Sequence, residues 1–131
     1  MFDWNKPTSQ MLGRWQPWHK GHRELFKKCH EISGQVSIMI RDVPVDTEAN
    51  ARVPGQDDNP FDFETVKKNI EEKLNPEFEG RFKIMLVPNI TNICYGRGVG
   101  YKIEEIVLPE EIQKISATKI RAKMREDGEL K

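Results

Sequence analysis

The alternation of strand-like and helix-like segments is the feature of this sequence that most constrains its fold. Residues 36–41 form a nearly continuous apolar run, which is typical of a strand buried in a parallel sheet. Residues 21–33 place Leu25, Phe26, Cys29 and Ile32 on one apolar helical face. With a short strand candidate before that helix, the succession of strand, helix and strand predicts an α/β fold with a parallel sheet.

Further segments extend this pattern along the chain. The other strand candidates are residues 10–14, 82–87 and, more weakly, 93–95 and 103–108. A helix is expected from Asn59-Pro60 to about residue 74, and the last helix should begin after Ser116 and stop near Gly128. The sheet is therefore predicted to be mostly parallel and five-stranded.

Between the second strand and the second helix, residues 42–60 hold Pro44, Pro54 and Gly55 together with several Asp and Asn. A connection of that length without secondary structure is typical of a functional loop. Its composition does not reveal what it binds.

Composition sets the broad class of the protein. The 131 residues are 37% hydrophobic and 32% charged, which predicts a single globular domain over residues 1–131. Cys29 and Cys94 are isolated, so they fit neither a disulfide framework nor a paired zinc pattern, and a reducing cytoplasm is expected. Lys plus Arg and Asp plus Glu both number 21, which argues against a nucleic-acid or membrane partner.

Residues 13–22, GRWQPWHKGH, join the first strand to the first helix. Open α/β folds bind ligands at the carboxyl ends of their strands, where the next helix presents unpaired N–H groups. Gly21 would let a bulky anion approach the backbone, and the His19 and His22 rings can donate to phosphate oxygens. The segment therefore predicts a phosphate site.

Other interpretations of this segment remain open. A histidine at a helix start can cap the helix, and two histidines three apart can bind a metal. A metal would need further ligands, and Cys29 and His30 lie at the far end of the helix, so no metal site is predicted. Trp15 and Trp18 are either core aromatics or flat surfaces for a base or sugar.

A second cluster, residues 115–121 with the sequence ISATKIR, lies at the start of the last helix. Ser116 is a good N-cap, and Thr118 and Lys119 fall in the first turn, where N–H groups point outward. A cation such as Arg121 near a helix start opposes the helix dipole unless an anion compensates it. The segment predicts a second anion site, although a solvated basic face is the alternative.

Together the two clusters resemble the HxGH and ISxTxIR signatures of the cytidylyltransferase-like nucleotidyltransferase superfamily. That superfamily includes glycerol-phosphate cytidylyltransferases, phosphopantetheine adenylyltransferases and nicotinamide mononucleotide adenylyltransferases. The signatures occur here in the same order and about a hundred residues apart, as in that superfamily. The resemblance implies a Rossmann-like three-layer sandwich and a single nucleotidyltransferase domain.

The resemblance also implies roles for particular residues. Catalytic contacts to the phosphates would come from His19, His22 and Arg121. The nucleotide-binding residues would be Arg14, Trp15, Gly21, Tyr95, Arg97, Ser116 and Thr118. Mg²⁺ would accompany the NTP, held chiefly by phosphate and water. The glycine-rich segment around Tyr95 and Arg97 either helps to bind the base or is a turn without a ligand.

The expected activity is transfer of a nucleoside monophosphate unit from CTP or ATP to a small phosphorylated acceptor, with release of pyrophosphate. Arg41, Arg52 or Arg97 would meet the acceptor phosphate. A non-catalytic nucleotide sensor of the same fold is the alternative. A homodimer is a possible assembly, because dimers are frequent in the superfamily that the sequence resembles.

Overall fold

The computed structural model describes residues 1–43, 60–97 and 100–129. The elements in chain order are β1 (Ser9–Gly13), α1 (Lys20–Ser33), β2 (Val36–Arg41), α2 (Phe63–Leu74), β3 (Phe82–Val87), α3 (Glu110–Gln113) and α4 (Ala117–Glu126). The chain has the α/β fold that the alternating pattern predicts, with a parallel sheet.

The sheet has the order β1-β2-β3, and Met11, Ile38 and Ile84 lie at matching positions of its register. Crossovers between parallel strands are right-handed, so two successive crossovers in one direction place α1 and α2 on the same face of the sheet. The two helices are joined there by Arg23 of α1, which forms an ion pair with Glu77 and donates from Nη1 to the Lys73 carbonyl at 2.8 Å.

The core lies between this helix pair and the sheet. Its fully enclosed side chains are Phe26, Val36, Ile38, Ile70 and Leu74. Alternate positions of β2 contribute to it, because successive strand side chains point to opposite faces. On the opposite face, Leu12, Met39 and Met85 are half buried, and the second helical layer of a three-layer sandwich stays a prediction.

Several predicted elements are confirmed by the structure. The β2 and β3 bounds are as expected, and α1 ends at Gly34, whose φ of 85° is left-handed and suits glycine. Ser116 is the N-cap of α4, as predicted.

The start of the second helix was predicted wrongly. The helix begins at Phe63 and not at Pro60, because the Asp62 carboxylate caps it by accepting from the Thr65 N–H at 2.8 Å. The short helix α3 was not expected from the sequence.

The two weaker strand candidates were also wrong. Residues 93–95 and 103–108 form no strand, so the described part of the chain has a three-stranded sheet rather than a five-stranded one. Ile93, Ile103 and Val107 are more than half exposed, and their apolar character therefore does not reflect a buried strand face. Most of the predicted functional loop, residues 44–59, lies outside the described residues. Among the helices described, none has the length and apolar character needed to cross a bilayer.

We expect Phe26→Ala to lower the free energy of unfolding by about 3–5 kcal/mol, because it empties a fully enclosed site at the centre of the core. Ile32 was predicted to share the apolar face of this helix, but its side chain is 56% exposed, so Ile32→Ala is the matched control and should cost far less. Urea denaturation of both variants measures the difference, and equal losses would contradict this description of the core.

Candidate functional site

His19 and His22 form a stacked pair at the start of α1, directly beyond the carboxyl end of β1. His19 is the N-cap, and its Nδ1 accepts from the Gly21 N–H at 3.0 Å. The His22 Nδ1 accepts from the His19 N–H at 3.1 Å, which completes a capping box. The ring centroids are 3.5 Å apart and the planes differ by 21°. Backbone hydrogen bonds therefore fix both imidazoles.

These hydrogen bonds also determine where the ring protons lie. A neutral imidazole has one donor and one acceptor nitrogen, and each Nδ1 here is an acceptor, so Nε2 carries the proton. Burial lowers the pKa of His19, and burial together with the neighbouring His19 lowers the pKa of His22 to about 3. Both rings are thus neutral Nε2–H donors near pH 7.

Two tryptophan rings, Trp15 and Trp18, pack against the His22 ring of the pair. The Trp15 ring meets the His22 ring edge-on at 4.8 Å, and the Trp18 ring lies 5.4 Å from it. Trp15 is 7% exposed and donates from Nε1 to the Met39 carbonyl at 3.1 Å. The Trp15 indole lies in the core, where its ring is buried and its N–H is hydrogen-bonded to the β2 carbonyl, and its predicted contact with nucleotide stays a prediction. Its place next to His22 makes it a support for that ring.

Glycine is required at two positions of this turn. A Cβ on Gly21 would lie 2.8 Å from the His19 Cε1, which is closer than van der Waals contact allows. A Cβ on Gly13 would lie 2.9 Å from two ring carbons of Trp15, a residue whose own φ is a left-handed 55°. Gly21 therefore leaves room for the His19 ring, a reason that the sequence did not reveal.

Arg121 joins the segment of residues 115–121 to that of residues 13–22. Its Nη1 donates to the Gln16 carbonyl at 2.5 Å across 105 residues of sequence, and its Nη2 lies 3.4 Å from the Thr118 Oγ1. At the start of the same helix, the Ser116 hydroxyl accepts from the Lys119 N–H at 3.4 Å. The N-terminus of α4 is thus held against the turn that carries the histidines.

This arrangement changes the interpretation of Arg121. We expected its guanidinium to contact phosphate directly, but Arg121 is 2% exposed and already donates to Gln16. A buried cation needs such hydrogen bonds to offset its desolvation. In this structure the buried Arg121 joins residues 115–121 to residues 13–22, and its contact with phosphate stays a prediction.

Gln16 is the functional candidate that the sequence did not single out. It is 7% exposed, its Nε2 donates to the Phe61 carbonyl at 2.9 Å, and its Oε1 accepts from the Phe61 N–H at 2.9 Å. Its partner lies 45 residues away, so the one available signal was a polar side chain placed between two tryptophans.

A pocket of about 320 Å³ lies at the carboxyl ends of β2 and β3, next to the start of α2. Its lining includes Gln16, Arg41, Phe61, Asp62 and Phe63. The Arg41 Nη2 donates to the Asn89 Oδ1 at 2.9 Å, while the buried Arg41 Nε has no hydrogen-bond partner among the described residues. This is the edge where parallel α/β sheets bind ligands. A second pocket, of about 340 Å³, is lined by Trp18, His19, Lys20, Arg23 and Lys73.

The remaining predicted site residues are Arg14, Tyr95 and Arg97. Arg14 follows β1 directly and is half buried. Tyr95 is 59% exposed and meets Tyr101 edge-on at 6.2 Å, and Arg97 is also exposed. No described contact joins Tyr95 or Arg97 to the pair. Within residues 1–43, 60–97 and 100–129, no three His, Cys, Asp or Glu side chains are grouped so that they could hold a metal ion.

Comparisons with known proteins add little to this geometry. No protein-family model and no curated protein matches the sequence. A similar solved structure is the crystal structure of NadR protein in complex with NAD and AMP-PNP, with a TM-score of 0.46 and 19% identity over 70% of this chain. This chain spans 22% of the length of that protein. A likeness of that size carries no argument, so the function has to be inferred from the residues themselves.

The lowered pKa of His22 predicts a specific pH dependence of stability. Between about pH 6.5 and about pH 3 the unfolded chain binds a proton at this residue and the folded chain does not. The free energy of unfolding should therefore fall as the pH decreases through this window. From pH 7 to pH 5 the loss should be on the order of 1–2 kcal/mol larger in the native protein than in His22→Gln.

Glutamine suits this experiment because it commonly occupies the N3 position of a capping box and keeps an acceptor for the His19 N–H. Denaturant titrations at both pH values give the four free energies that are needed. Carboxylates titrate in both proteins and cancel in the comparison. The same pH-dependent loss in both would mean that His22 is not held neutral.

Proposed function

We propose that this protein is a nucleotidylyltransferase, which transfers a nucleoside monophosphate unit from CTP or ATP to a small phosphorylated acceptor and releases pyrophosphate. The observation that carries the proposal is the hydrogen bond from Arg121 to the Gln16 carbonyl. Through it, the start of α4, with Ser116 and Thr118, is held next to the turn that leads into α1. That is the arrangement that a triphosphate needs, since its charge is spread over several phosphates.

In the proposed reaction, an acceptor phosphate oxygen attacks the α-phosphorus of the NTP in line with the bond to the β-phosphate. The new P–O bond forms as the bond to pyrophosphate breaks, and pyrophosphate leaves. The fixed Nε2–H groups of His19 and His22 donate to the oxygens on which charge develops, and as neutral donors they need transfer no proton. Ser116, Thr118 and the first-turn N–H groups of α4 receive the departing β- and γ-phosphates.

The acceptor is proposed to occupy the pocket beyond β2 and β3. Arg41 lines that pocket, and its guanidinium is therefore the proposed donor to the acceptor phosphate. Phe61 and Phe63 give the same pocket an apolar wall. Arg97 is exposed elsewhere, and Arg52 lies outside the described residues. Arg41 is therefore the preferred acceptor residue.

Base recognition and the metal belong to the same proposal. Tyr95 and Arg97 are the proposed base-binding residues, and the choice between CTP and ATP is left to experiment. Mg²⁺ would arrive with the NTP and neutralise part of its charge, held by phosphate and water, which suits a described chain without a cluster of carboxylate ligands.

The direct test is a screen of the four NTPs against phosphorylated sugars, alcohols and mononucleotides, with pyrophosphate release as the readout. We expect release with one NTP and one acceptor class, and none when either substrate is omitted. Thermal-shift measurements on the same panel detect binding without turnover. An NTP that binds but never yields pyrophosphate would indicate a nucleotide sensor instead.

His22→Gln should lower kcat about 100- to 1,000-fold, because it replaces the fixed ring Nε2–H with a flexible amide that is not held at the same place. The glutamine retains the capping acceptor, so the free energy of unfolding at pH 7 should stay close to that of the native protein. Steady-state kinetics and denaturation at pH 7 test both parts, and unchanged turnover would remove His22 from the catalytic residues.

Gly21→Ala should lower activity by displacing the His19 ring, since the added Cβ would lie 2.8 Å from its Cε1. The fall in kcat/KM should be on the order of tenfold or more, because small errors in the placement of catalytic groups are costly. Lys28→Ala, at an exposed position of the same helix, is the control and should keep native kinetics. Native kinetics in Gly21→Ala would show that the position of His19 is unimportant.

A further inference from the structure

Gln16 lies between the two regions that the proposed reaction must align. Its carbonyl accepts from Arg121, which holds the N-terminus of α4, and its side-chain amide bonds both backbone groups of Phe61, which lines the pocket at the start of α2. The two segments are thus held by the two ends of one residue that is 7% exposed.

We propose that Gln16 is a positioning residue, which sets the acceptor pocket at the distance from the triphosphate site that in-line attack requires. The inference rests on the proposed function and assigns a role to a side chain at the edge of the acceptor pocket whose amide is already hydrogen-bonded to Phe61. Two 2.9 Å hydrogen bonds with opposite polarity fix Phe61 in a single register. An apolar side chain of equal size would fill the same space, but it would make no hydrogen bond that fixes the position of Phe61.

Because Gln16 contacts Arg121 through its backbone and Phe61 through its side chain, a side-chain substitution can remove the second contact and leave the first. Gln16→Met keeps the backbone carbonyl that Arg121 uses and removes only the two bonds to Phe61. Gln16→Glu keeps the acceptor for the Phe61 N–H but, while ionised, has no donor for the Phe61 carbonyl. When that carboxyl is protonated, its O–H replaces the missing donor. Gln16→Glu should therefore regain function as the pH falls, and Gln16→Met should not.

Gln35 provides a matched control elsewhere in the fold. It is 5% exposed, and its side-chain amide also bonds both backbone groups of one residue, Asp3, with the donor nitrogen 2.6 Å from the Asp3 carbonyl. Gln35→Met removes the same kind of contact from the amino-terminal segment, away from both pockets. If both variants lose the same stability, that loss reflects the removal of a buried amide contact and not an effect on the acceptor pocket.

The experiment measures steady-state kinetics with the NTP and acceptor that the pyrophosphate screen identifies. In Gln16→Met, kcat/KM for the acceptor should fall about tenfold or more, while the Kd of a non-hydrolysable analogue of the NTP stays near the native value. Gln35→Met should leave both quantities unchanged. The rate of Gln16→Glu relative to the native protein should rise from pH 7.5 to pH 5.5, whereas that of Gln16→Met should stay constant.

Amide exchange at the Phe61 N–H gives a readout that does not depend on turnover. Exchange should be faster in Gln16→Met than in the native protein or in Gln35→Met. If the native protein releases no pyrophosphate with any pair, the proposed function fails and this inference fails with it. If the native protein is active but Gln16→Met keeps native acceptor kinetics, or loses NTP affinity to the same extent, the positioning role alone is overturned. Should Gln16→Met not fold, the pH response of Gln16→Glu decides the question.

Discussion

The hydrogen bond between the Arg121 guanidinium and the Gln16 carbonyl is the contact on which the candidate site depends. It lies at the point where the carboxyl end of β1 turns into α1, and it joins segments that are 105 residues apart. A buried guanidinium is costly to desolvate, so this contact forms only if the turn presents its carbonyl at the right place. The position of α4 consequently depends on the conformation of this turn.

The same turn accounts for the chemistry of the two histidines. Each imidazole uses Nδ1 to satisfy a backbone N–H that a helix start would otherwise leave unpaired. Capping and the choice of tautomer are therefore the same event, and burial against Trp15 and Trp18 then favours the neutral rings. A helix start that is stable for local reasons thereby becomes one that offers fixed donors to an anion.

Sequence patterns predicted the local features of this molecule and missed those that depend on distant contacts. β2 was predicted because its nearly continuous apolar run is typical of a buried parallel strand, and the N-cap of α4 because Ser116 satisfies a local rule. The segments 93–95 and 103–108 failed because short apolar stretches have no distinct period, and their side chains are largely exposed. Gln16 and the burial of Arg121 could not be predicted, since their partners lie 45 and 105 residues away.

The left-handed backbone of Trp15 has a consequence for how this turn can change over evolutionary time. Its indole occupies the space that a side chain at Gly13 would need, with ring carbons 2.9 Å from the missing Cβ. A larger residue at position 13 therefore requires a smaller one at position 15, whereas position 15 can change while Gly13 stays. Homologues that keep this turn and a large aromatic at position 15 should keep glycine at position 13.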